Sequence, residues 1–87
     1  MELPGHILGQ YIEHRRRDLK ECLSSLKRHQ YEKIEKVGHQ LKGNGTTFGH
    51  PELSSIGEKL EESARDQNME MLGKSLEEFS DWVKNLH

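Results

Sequence analysis

The sequence predicts an all-α protein, an antiparallel four-helix bundle, on three observations. Apolar residues recur at three- and four-residue steps in four separate segments, Gly, Pro and Asn punctuate the chain between them, and no window shows sustained strand alternation. Four amphipathic helices joined by short loops bury all four stripes most economically. With 87 residues there is room for one domain, spanning 1–87. Only 31% of the residues are hydrophobic and 32% are charged, at a mean hydropathy of -0.95, so a core requires apolar residues concentrated on those stripes.

The first helix follows Pro4 and Gly5 and carries Leu8, Tyr11, Ile12, Leu19, Cys22, Leu23 and Leu26 on its stripe. Arg15 falls where that stripe wants an apolar side chain, with Arg16 and Arg17 beside it, which predicts a kink or break and a short or kinked N-terminal extension. The second helix starts near Tyr31 and continues through Ile34, Val37, Gly38 and Leu41, until Gly43, Gly45 and Gly49 interrupt it with a tight loop. Pro51, favoured in a first turn, opens the third, with Leu53, Ile56, Gly57, Leu60 and Ala64 on one side and Asp66-Gln67-Asn68 closing it. The fourth turns Met69, Leu72, Leu76, Phe79, Val83 and Leu86 inward and leaves Glu77, Glu78, Asp81 and Lys84 to solvent, with Gly73 its weak residue.

Composition excludes several functions. Thirteen basic and fifteen acidic residues leave a net charge of -2, no global field for a phosphate backbone, and the Arg15-Arg16-Arg17 run reads as a solvated face. Cys22 is the single cysteine, so neither an internal disulfide nor a cysteine zinc site can form. His6, His14, His29, His39, His50 and His87 include no i, i+4 pair, and no metal site is expected. No apolar run approaches a membrane span, and no basic-then-apolar leader opens the chain, which predicts a cytoplasmic protein.

His39 does not fit the packing. With Ile34 at zero on a helical projection, Gly38, Leu41, Val37 and Tyr31 fall within about 60°, whereas His39 falls about 140° away, on the solvent side. Lys36 and Lys42 flank it at i-3 and i+3, and Gly43 sits at i+4, so the imidazole lies between ammonium groups and a bare backbone that suit an incoming anion. Gly43 has two readings, a helix C-terminal signal or a cleared approach beside His39.

These residues carry a resemblance. His39-Gln40-Leu41-Lys42-Gly43-Asn44, followed by Gly49 and then Leu53, Ile56, Leu60 and Glu61, resembles the signature of histidine-containing phosphotransfer (HPt) domains. The specific part runs from Gly38 to Ala64, and Asn44 departs from the serine or alanine more usual there. The resemblance implies a phosphocarrier in a two-component phosphorelay, with His39 taking a phosphoryl group from a receiver-domain aspartate and passing it to another receiver. Imidazole suits this, being largely neutral and nucleophilic at cellular pH from an unperturbed pKa of about 6.5. Lys42 would neutralise phosphate charge, Glu61 would accept a hydrogen bond from one ring nitrogen and orient the other, and Lys36 would add positive potential.

Gly43, Asn44 and Gly45, with Thr46, Thr47 and Phe48 in the loop, would form the docking face, although Phe48 reads equally as a plug beneath that loop. Partners would be response-regulator receiver domains and a hybrid histidine kinase, and the chain would be a monomer. The sequence has no P-loop, kinase-type nucleotide site or paired aspartates for Mg²⁺, so the chain is expected to be a carrier without a kinase site or cofactor, with Mg²⁺ bound by the receiver. The competing reading is a helical adaptor that binds receivers without phosphotransfer.

Overall fold

A computed structural model of the chain describes the backbone of residues 5–85 and the side chains of residues 9–85. Four helices form, α1 (Gly5–Lys27), α2 (Tyr31–Thr47), α3 (Pro51–Arg65) and α4 (Met69–Lys84), with no strand among the described residues. Each contacts its two neighbours in a ring, α1 to α2 to α3 to α4 and back to α1, within an envelope of 37 × 20 × 19 Å. This is the predicted bundle. Pro4, the side chain of Leu8, and Leu86, assigned to helix starts and stripes above, lie outside the described residues, as do the side chain of His6 and all of His87.

Local chemistry sets the helix ends. His29 (φ 58°) and Gln67 (φ 52°) take the left-handed conformation that closes α1 and α3. The next amide in each case turns back to donate, Gln30 to the Ser25 carbonyl at 2.8 Å and Asn68 to that of Ser63 at 2.9 Å. Pro51 stands in the first turn of α3, and the Asn68 side chain accepts from the Met71 amide at 3.2 Å to start α4.

Inside, Ile34, Leu41, Leu53, Leu60, Leu72 and Phe79 are fully buried, two from each of α2, α3 and α4. The contribution of α1 is thinner, with Tyr11 and Cys22 buried and Leu19 and Leu26 half-covered against the core. Leu23, assigned to its stripe, is exposed, as is Met69 at the start of α4, while Trp82, absent from the predicted stripe, is buried.

Two boundaries differ from expectation. Helix α1 runs unbroken through Arg15, because that side chain is not a lone charge in the core. Its guanidinium lies 4.8 Å from the Tyr11 ring centroid and pairs with Asp18 one turn on at 2.8 Å, so stem and charge are both accommodated. Helix α2 does not stop at Gly43 or Gly45 but continues to Thr47, and the turn comes at Phe48 and Gly49, where φ is +79°.

That turn is held by aromatic rings at one end of the bundle. Phe48 stacks on Tyr11 with centroids 4.3 Å apart, which gives it the role of a plug. His50 lies over Tyr11 at 6.0 Å and meets Trp82 edge-on at 5.4 Å, and the Trp82 indole donates to Glu52 at 3.2 Å. Hydrogen bonding to a backbone amide at the start of α3, followed by that indole, holds the Glu52 carboxyl below its ordinary value.

Candidate functional site

Helices α2 and α3 make the most extensive contact in the protein, and glycines make it close. A Cβ placed on Gly38 would sit 2.6 Å from the Glu61 backbone nitrogen and 2.7 Å from the Gly57 carbonyl oxygen. One placed on Gly57 would sit 2.5 Å from the Lys42 nitrogen. The two backbones therefore touch where side chains would otherwise separate them, and the residues flanking the contact are brought together across it.

Those residues are His39 and Glu61. The His39 side chain is 74% exposed, as the helical projection requires, and its Nδ1 lies 2.8 Å from Glu61 Oε2. Glu61 is only 16% exposed, so the carboxylate is a largely covered group whose open edge faces the imidazole. The other oxygen, Oε1, lies 3.9 Å from Lys42 Nζ. His39, Lys42 and Glu61 thus form one connected group, the carboxylate bridging the ring and the ammonium. Glu61 can accept from Nδ1–H, which leaves the Nε2 lone pair on the opposite edge of the ring, with no hydrogen-bond partner among the described residues.

Lys36 is exposed one turn before His39 and lines a shallow cleft with Glu32, Glu35, His39 and Glu61. Of its acidic residues only Glu61 was singled out from the sequence; Glu32 and Glu35 were not. Beyond Lys42, Gly43 is exposed, and a Cβ there would meet nothing within 4 Å. Packing within this chain does not demand a glycine at Gly43, and the helix-terminating reading is excluded because α2 continues past it.

Gly45 requires a correction. It is buried, and a Cβ on it would collide with the backbone of Ser54 and with the His50 carbonyl oxygen, so it serves the α2–α3 contact and is not on the open face. Asn44 is half-buried, and Thr46 and Thr47 belong to the last turn of α2, where Thr47 Oγ1 donates back to the Gly43 carbonyl at 3.1 Å. Of Gly43, Asn44 and Gly45, Gly43 alone presents open backbone.

Two contributors on α3 were missed. Ser54 Oγ donates to the Lys42 carbonyl at 2.6 Å, and Gly57 lies directly against that turn of α2. Gly38 and Gly57, each on a buried stripe, were the available signal, since small residues on two facing stripes allow backbones to approach. Among the described residues no group of three His, Cys, Asp or Glu could hold a metal ion, and no helix is long and apolar enough to cross a membrane.

The family model of the Hpt domain matches residues 6–87. No curated protein and no solved structure shows a significant match to the chain.

Proposed function

The chain belongs to the Hpt domain family, whose members are phosphotransfer carriers of two-component signalling, and we propose from this that His39 is its phosphoryl acceptor and donor. The observation that carries the reading is the 2.8 Å contact between Nδ1 and a covered carboxylate on an otherwise exposed ring. With the proton held on Nδ1, Nε2 is the nucleophile. Its lone pair attacks the phosphorus of an aspartyl phosphate on a receiver domain. The Nε2–P bond forms as the P–O bond to the aspartate breaks, and the electron pair leaves with the carboxylate.

The imidazole then bears positive charge, which Glu61 stabilises through Nδ1–H. Transfer to a second receiver is the same step in reverse. Lys42 is within reach to leave Oε1 of Glu61 and pair with the phosphoryl oxygens, Lys36 adds positive potential, and Gly43, with Asn44 beside it, clears the approach of the partner.

Hpt domains are carriers rather than kinases, and their partners are receiver domains and histidine kinases. On this reading the chain is a monomeric, cytoplasmic phosphoprotein. The receiver supplies Mg²⁺ and the aspartate chemistry. The test is incubation with a phosphorylated receiver and Mg²⁺. Label should move to the chain in acid-labile, alkali-stable form, and His39→Gln should take up none. Label on His39→Gln would sink the assignment, and a wild type that binds receivers but takes no label would leave the adaptor reading.

A further inference from the structure

The α2–α3 contact holds a residue, Gly57, that lies against the backbone of α2 close to both site groups. Gly57 stands one helical turn before Glu61, and Gly38 stands next to His39, so the crossing of these glycines lies directly under the imidazole–carboxylate pair. A Cβ on Gly57 would lie 2.5 Å from Lys42 N, 2.6 Å from the Gly38 carbonyl oxygen and 2.8 Å from Leu41 Cβ. All three neighbours belong to α2, two are backbone atoms, and none can rotate away. The same turn is pinned from α3 by Ser54 on the Lys42 carbonyl at 2.6 Å.

We propose that Gly57 is a positioning residue for phosphoryl transfer, a spacer of zero size that sets the α2–α3 distance at which Glu61 reaches His39 Nδ1 and so selects Nε2 as the reacting nitrogen. This rests on the reading of His39 given above. Ordinary contact between carbon and backbone atoms needs about 3.5 Å, so any side chain at Gly57 drives the helices apart by roughly 1 Å. The His39–Glu61 contact of 2.8 Å then opens beyond hydrogen-bond range. Glu61 has little freedom to follow, because its side chain is mostly covered and its backbone nitrogen already abuts Gly38.

The test is Gly57→Ala, placed in a Gly73→Ala background so that lost packing does not unfold the chain. Gly73 lies on α4, and a Cβ there meets nothing within 4 Å, so Gly73→Ala alone should match wild type in both readouts below. The first is the His39 tautomer, read from imidazole ¹⁵N shifts with neutral rings. Wild type should be mainly Nδ1–H, and Gly57→Ala should shift toward Nε2–H. The second is the initial rate of label transfer from a phosphorylated receiver, which should fall about tenfold, the scale of losing a group that orients a reacting side chain.

A folded Gly57→Ala with the wild-type tautomer overturns the proposal, as does a shifted tautomer with an unchanged transfer rate. Failure to fold in the stabilised background also overturns it, by making the contact a requirement of folding rather than a spacer for the site. The tautomer needs no phosphorus chemistry, so absence of label on wild type would refute the phosphocarrier reading separately.

Discussion

The two halves of the bundle are built on different physics. Across α2 and α3 the contact is backbone on backbone, with Gly38, Gly45 and Gly57 admitting no side chain between the helices. Across α1 and α4 it is side chain on side chain, and it is looser. Leu23 is exposed there, a groove runs past Leu23, Leu26, Gly73 and Leu76, and Gly73 has open space where a Cβ would stand. Backbones have no rotamers, so a contact between them has one spacing, whereas large side chains can repack. The half that carries His39 is the half without slack.

A substitution inside the backbone contact tests this comparison most directly. Gly45→Ala should cost about 2–3 kcal/mol in urea unfolding, the scale of overpacking where neither neighbour can yield. A cost under half a kilocalorie would show that α2 and α3 slide freely.

Smaller effects belong to α1. Arg15→Ala should destabilise by about 1–2 kcal/mol, since it leaves Asp18 half-covered without its partner, while Arg15→Met combined with Asp18→Asn should recover most of that loss. Burial raises the Asp18 carboxyl above its ordinary value, with Arg15 opposing. The raised native value means the folded state binds the proton more readily. Its contribution is therefore fully present below the unfolded value and is lost as pH rises through the folded one. Asp18→Asn should flatten this acid-side slope in thermal unfolding curves.

Gly73→Ala should do the opposite of Gly45→Ala and stabilise by about 0.5–1 kcal/mol, helix propensity gained with no collision. Equal signs for the two glycines would erase the distinction between the halves. The smallest effect concerns Cys22, fully buried on α1, whose thiol burial pushes up to about 12. It should resist alkylation at pH 8 until the protein unfolds. Its stabilising contribution should hold below the ordinary thiol range and fade as pH rises towards 12, a slope that Cys22→Ala removes.

Much of the fold was legible because helical periodicity and punctuation act locally. All four helices and the exposure of His39 follow from three- and four-residue spacing, and the approach of Glu61 to His39 was implied by the family resemblance. The misreadings share a cause in tertiary partners. Arg15 read as a break because its neighbours Tyr11 and Asp18 were not considered as a unit. Gly43 and Gly45 read as stop signals because propensity cannot see that α3 occupies the space beside Gly45. Leu23 was misplaced and Trp82 left out because a stripe defines a face but not how much of it a neighbouring helix covers.

The aromatic end has a practical consequence. Trp82 is the only tryptophan in the chain, and it sits where the α2–α3 turn, α1 and α4 converge, edge-on to His50 and bonded to Glu52. Its indole is therefore a built-in optical reporter. Emission from this one side chain should follow the seating of His50, and through its stacking on Tyr11 that of the thinly held first helix, without any dye, label or mutation.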